Sequence, residues 1–277
     1  MPCSMLSPKN LCPSVAASGV TVTDITKLLV HRRSMFARWL STATTLTIYG
    51  SVPVGAGSIV CDMWGLFRHN MPSTASVRLQ LYAAAFAAGT VPSGTATYDK
   101  FWVTATNGGT FDGMSTWALV ESTTPRTFRS YVITISGLTS GVNYVFGDLF
   151  FGKSLPLDVG FSRDGSTFSQ LDVAQYTIAQ SGSLLTKSAP ALRRRYKMAF
   201  DFLNSAARTA VMQAEADNPS GTYMLAVYPD VLTGVGVQDD LAKRRAAEGT
   251  FLGKATESFQ PTFAKTVTAI QISMAEI

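Results

Sequence analysis

The chain has 277 residues, 46% of them hydrophobic and 15% charged, with 23 Lys and Arg against 18 Asp and Glu for a net charge of +5. This is a globular composition, too apolar and too weakly charged for a disordered chain, and long enough for about one or two cores that need no disulfide or metal staple. Roughly a fifth of the positions are Ser or Thr, which with 22 Gly and 12 Pro suits short strands joined by turns and points to a mainly β protein.

Cys3, Cys12 and Cys61 are odd in number and form no CxxC, so they read as reduced thiols rather than a disulfide framework or zinc site. The N-terminus lacks the apolar run of a signal peptide, and the longest apolar stretch, Leu81 to Ala88, falls far short of the roughly 20 residues that span a bilayer. The expectation is a soluble protein made in a cytoplasm.

Residues 1–20 read as an extended arm, because Pro2, Pro8 and Pro13 interrupt any regular ladder. Residues 21–153 hold seven predicted strands: Leu46–Tyr49, Ile59–Phe67, Val77–Tyr82, Phe101–Thr104, Thr116–Val120, Tyr131–Ile135 and Tyr144–Phe151. Their spacing predicts a β-sandwich. In Ser76 to Tyr82, Val77, Leu79 and Leu81 share one face while Arg78 and Gln80 take the other. A second domain is expected over 154–277, opening with an irregular polar segment up to Ser188. Tyr196, Met198, Phe200 and Phe202 then alternate onto one face of a strand that leads into Asn204-Ser205, a helix cap. One helix is predicted, at about 205–217, with a narrow apolar stripe of Ala207, Val211 and Ala214 and a stop at Asn218-Pro219. Strands follow at Tyr223–Tyr228, about Gly249–Lys254 and Thr266–Met274.

Gly147 to Ser154 satisfies the phosphate-loop pattern G-x-x-x-x-G-K-[ST]. Leu149, Phe150 and Phe151 favour a buried strand instead, and Pro156 stops a helix from starting at Lys153, so a strand-end turn is the better reading. His31 and His69 fit no metal spacing, no Gly-x-Ser-x-Gly elbow occurs, and the carboxylates are scattered. No catalytic, cofactor-binding or metal-binding residue is assigned, and the chain is expected not to be an enzyme. Trp39, Trp64, Trp102 and Trp117 fit either a buried core or a sugar-stacking platform. The basic runs Arg193-Arg194-Arg195-Tyr196-Lys197 and Lys243-Arg244-Arg245 fit a solvated face, a protein-contact rim or, less well, a nucleic-acid surface.

The ordered set of segments resembles the minor tail proteins found at the distal end of tailed-bacteriophage tails. Leu66-Phe67-Arg68-His69-Asn70-Met71 followed by Val77-Arg78-Leu79-Gln80-Leu81-Tyr82, and the aromatic stretch Tyr144 to Gly152, resemble the galactose-binding-like sandwich of such proteins. The run Arg193 to Phe202, the helix from Asn204 to Asp217, Leu225-Ala226-Val227-Tyr228-Pro229-Asp230 and Ile270 to Glu276 are similar to their β-rich ring-forming domain. The resemblance implies a structural protein of the virion tail or baseplate, whose copies close a ring, expected to be a hexamer, that contacts tail tube and hub or tip proteins. Leu6, Leu11 and Val15 of the arm would then dock on a neighbouring subunit. Direct DNA contact and membrane contact are not expected. The alternative reading is a host-recognition tail protein that holds surface carbohydrate through its tryptophans, and a virion-attached glycan hydrolase is a third.

Overall fold

The computed structural model describes residues 5–18, 22–30, 36–40, 43–111, 113–121, 124–155, 162–172, 176–178, 184–186, 192–201, 203–218, 221–232, 240–256, 260–264 and 267–276. Cys3, His31 and Phe202 lie outside these residues. The chain is mainly β, built of antiparallel sheets none of which closes into a barrel.

The arm is more ordered than its prolines suggest. It holds two short strands, β1 (Met5–Ser7) and β2 (Ala16–Ser18), separated by irregular backbone around Pro8 and Pro13. Leu6 is 1% exposed and sits in the core of the chain's own second half, while Leu11 and Val15 pack against the first. Burial of Leu6 within its own chain corrects its expected docking on a neighbour, while Leu11 and Val15 are half-buried.

The sandwich follows: β3 (Thr45–Ser51), β4 (Met63–His69), β5 (Ser76–Tyr82), β6 (Tyr98–Trp102), β7 (Met114–Val120), β8 (Ser130–Ser136) and β9 (Asp148–Gly152). One sheet runs β2-β3-β8-β5-β6, and the other places Thr110–Phe111, β7, β4 and β9 side by side. Val77, Leu79, Leu81, Ile133 and Ile135 of the first meet Trp64, Leu66, Trp117, Leu119 and Phe151 of the second in one large core, as period-two alternation requires. Two expected strands are each broken in two. Ile59–Cys61 turns away at Asp62 to pair with Arg126–Phe128, and Asn143–Phe146 turns away at Gly147 to pair with Ala37–Leu40.

The second half contains β10 (Ser162–Asp172), β11 (Leu192–Phe200), α1 (Ser205–Asp217), β12 (Thr222–Ala226), α2 (Asp240–Gly249), β13 (Thr250–Ala255), β14 (Gln260–Ala264) and β15 (Val267–Glu276). Its sheet runs β1-β12-β13-β15-β11-β10, with β14 also on β15. Asn204 caps α1, its side-chain oxygen accepting the Ala207 N–H at 2.8 Å, and Ala207, Val211 and Ala214 are the buried stripe.

Two expectations are corrected here. The segment after residue 153 is not irregular throughout: β10 is eleven residues long, and Tyr176–Ile178 pairs with Leu184–Thr186. Ser162–Asp172 shows no apolar alternation because it is an edge strand, held by backbone pairing to β11 with a register shift between Ser162 and Thr167. A second helix also exists, α2, where a charged run was read. Its Ala, Lys, Arg and Leu residues are good helix formers, yet Leu241 is exposed and Ala246 buried, so no broad apolar stripe marks it.

The sandwich's second sheet is apolar on both faces. Met63, Phe67, Ala118, Val120 and Phe150 turn away from the sandwich core and pack on Met224, Ala226, Leu232, Ala246 and Leu252 of the second half. Gly109 fits against α2 at this junction, where an added Cβ would lie 2.5 Å from the backbone of Ala247.

Candidate functional site

Trp39, Trp64, Trp102 and Trp117 are all 2% exposed or less and belong to the sandwich core. Trp102 and Trp117 meet edge to face at 5.3 Å, and Trp64 stacks on Tyr98 at 6.1 Å. The sugar-stacking platform is thereby corrected: an interior ring has no face to offer a ligand. The Gly147–Ser154 stretch is β9 and its exit, with Asp148, Leu149, Phe150 and Phe151 fully buried, as the strand reading expects. His69 is also fully buried, at the Ala105 loop, and burial pulls its pKa down to about 3. Cys12 and Cys61 are free thiols, and burial pushes Cys12 up to about 12. Among the described residues no group of three or more His, Cys, Asp and Glu could hold a metal ion.

Polar side chains converge at two structural latches. Asp62, at the strand break, accepts the backbone N–H and the hydroxyl of Ser154, each at 2.7 Å. In the second half the basic run divides by strand alternation, with Arg194 turned inward together with Tyr196, Met198 and Phe200. The Arg194 guanidinium donates to Glu276 at 2.6 and 3.1 Å and to the carbonyl of Thr250 at 3.0 Å, and lies over the Phe251 ring at 5.0 Å. Extending the alternation of Tyr196, Met198 and Phe200 back by one step would have placed Arg194 inside from sequence. Lys243 and Arg244 fall within α2, where Arg245 lies over the ring of Tyr228 at 5.5 Å.

Three of the surface's open features bear on function. A cavity of about 450 Å³ lies between the arm at Pro13–Ala16, the end of β3 at Tyr49–Ser51 and the Phe86–Thr90 loop. A groove of about 260 Å³ runs beside β10, where Phe168, 40% exposed, ends a file of rings through Tyr196 at 4.7 Å to Phe251 at 5.2 Å. The third is the outer edge of β10 itself, which no described strand covers. Its backbone N–H and C=O groups are the donor and acceptor row on which another strand can be built. Neither this edge nor the groove beside it was marked by the sequence, because β10 carries no alternation.

No protein-family model matches the chain, and no curated protein matches it. Among solved structures, a GH29 fucosidase of Ruminococcus gnavus in complex with fucose is similar over 53% of this chain, at 14% identity and a TM-score of 0.39, and a point mutant of it gives 15% and the same score. The chain spans 27% of the fucosidase's length, and a likeness at this level says nothing of what this chain binds.

Proposed function

We propose that this chain is a structural component of a bacteriophage virion at the distal tail or baseplate, where copies of it form a ring joining the tail tube to tip or receptor-binding parts. The observation that carries this reading is the open edge of β10, an eleven-residue strand paired on one side only among the described residues. An edge of that length invites pairing with another chain, and repeated head-to-tail contact closes a ring when the rotation between copies closes. The ordered sequence resemblance over residues 20 to 277 supports the same job.

The test is electron microscopy of the purified full chain together with its molar mass in solution. Rings of fixed copy number, lost when Thr167 on β10 is changed to Pro, are the expected result. A chain that stays monomeric at the highest attainable concentration and binds no tail component overturns the reading.

A further inference from the structure

The groove beside the open edge of β10 has a fixed apolar floor. Tyr196, Met198 and Val227 are buried and Tyr228 is half-buried, and the Tyr196 hydroxyl donates to the carbonyl of Glu248 at 2.5 Å. Phe168 stands out of this floor, 40% exposed, although its ring lies 4.7 Å from that of Tyr196. A strand added to β10 sets one side chain opposite Phe168, with Cβ atoms about 5 Å apart, and diagonal neighbours at about 7–8 Å that an aromatic side chain still spans. An apolar side chain in that place covers Phe168 and enters the groove, whereas a charged one is desolvated against aromatic rings.

A ring of copies needs a heterologous contact, so a different open edge of the same chain has to supply the added strand. Most outer strands are covered or short. The arm lies along β9, where the Leu11 N–H donates to the carbonyl of Phe151 at 2.6 Å and Asn10 bonds to Leu149 and Phe151. β1 receives the N–H of Leu155, β2 has three residues and Thr110–Phe111 two, and β14 carries Pro261, which has no N–H to donate. β6 is different: among the described residues it pairs with β5 alone. Its Tyr98 and Trp102 turn into the sandwich core, while Phe101 points the other way and is 58% exposed, with Val103 just beyond the strand 72% exposed. Aromatic surface of that size beside an unpaired backbone edge marks a contact site.

We infer that β6 of a second copy pairs with the edge of β10 and seats its Phe101 in the groove against Phe168. One continuous sheet then runs from the sandwich of one copy into the second sheet of the next, and the file of aromatic rings from Phe251 through Tyr196 and Phe168 gains a fourth member. The charges beside Phe101 do not steer the contact, because Asp99 is already held by Arg78 at 2.5 and 2.8 Å and Lys100 carries the opposite sign. Apolar burial with backbone pairing is therefore the source of affinity, and salt has little to screen. The inference rests on the ring reading above and adds which strand meets β10 and which two side chains anchor the contact.

The experiment measures self-association of the full chain by sedimentation and light scattering at low and high salt, for the parent, Phe168→Thr, Phe101→Thr and an equimolar mixture of the two variants. Thr keeps strand propensity, thermal melts check folding, and Phe168→Gln or Phe101→Gln replaces a Thr form that fails to fold. Each variant alone is expected to associate at least about tenfold more weakly than the parent. The mixture should form pairs and stop there, since the Phe101 of one variant fits the intact groove of the other and the remaining two surfaces are both spoiled. Parent assembly should hold within about threefold between low and high salt. Phe variants that assemble like the parent while Thr167→Pro does not would overturn this inference and leave the ring standing. Loss in Phe168→Thr without loss in Phe101→Thr overturns it too, because another surface then fills the groove, as does a mixture that yields no pairs or that rebuilds rings. Assembly that collapses at high salt makes the contact one of charge and overturns it as well. A parent that never assembles removes the ring and the inference together.

Discussion

Asp62 and Ser154 are 92 residues apart in sequence and share two hydrogen bonds of 2.7 Å, so that the end of the sandwich is tied to the point where the chain leaves it. The tie is reinforced by Leu155, whose N–H donates to the carbonyl of Leu6 at 2.9 Å, bringing arm and exit together. Asp62→Ala is expected to cost about 2 kcal/mol, because it leaves two half-buried Ser154 donors without their acceptor. Burial raises the Asp62 carboxyl above its ordinary 3.8 despite the Ser154 bonds, so the folded chain holds this proton more tightly than the unfolded one. Its contribution is full below 3.8 and lost as pH rises through the folded value, so the stability gap between the native chain and Asp62→Asn should be wider at acid pH than at neutrality. Denaturant midpoints of both forms across that range measure it.

His69 acts in the opposite sense. Its pKa falls from 6.5 to about 3 because the imidazolium cannot be hydrated in the sandwich core. Stability is then present above 6.5 and is lost as pH falls towards 3, by about 3 kcal/mol between neutrality and pH ~4. His69→Gln should lower stability at neutral pH and remove most of this acid slope, read from thermal or urea unfolding at stepped pH. A slope that survives the change would place acid sensitivity elsewhere.

Breaking one side of the Arg194–Glu276 pair should be far worse than removing both. Glu276→Ala strands a guanidinium that is 3% exposed, and a loss of about 3–5 kcal/mol is expected. Arg194→Met combined with Glu276→Leu should recover much of that, since the Phe251 ring and the neighbouring apolar residues can pack on the new side chains. Equal losses in the single and double variants would sink this account.

Gly50 is a close-approach position. A Cβ there would lie 2.1 Å from the carbonyl oxygen of Ser14, the same atom that accepts from the Tyr131 hydroxyl at 2.7 Å. Gly50→Ala should lift the arm off the sandwich without unfolding it, seen as faster proteolysis near residues 10–18 at nearly unchanged secondary structure.

Sequence revealed those parts of the molecule whose pattern is local. The alternation of Val77, Leu79 and Leu81 and the cap and stripe of α1 are written in adjacent residues, and both appear in the structure. The partner of Leu6 is not local: β1 pairs with β12, more than two hundred residues on, and nothing near Met5–Ser7 announces it. β10 escaped for another reason, since an edge strand held by its backbone need not bury alternate side chains. The four tryptophans were ambiguous because one composition serves a core and a binding platform equally well. Only three-dimensional placement separates the two.

The pairing of Met5–Ser7 with Thr222–Ala226 also sets an order of events during synthesis. The strand is made long before its partner, which follows only after the whole sandwich and, of the second sheet, β10 and β11. Until then Leu6 has no core to enter, and the chain carries a short apolar segment waiting for its site. Contacts so distant in sequence slow folding, because the loop must close before the pairing rewards it. The second half should therefore reach its final packing late in folding, with the arm as one of the last pieces to lock.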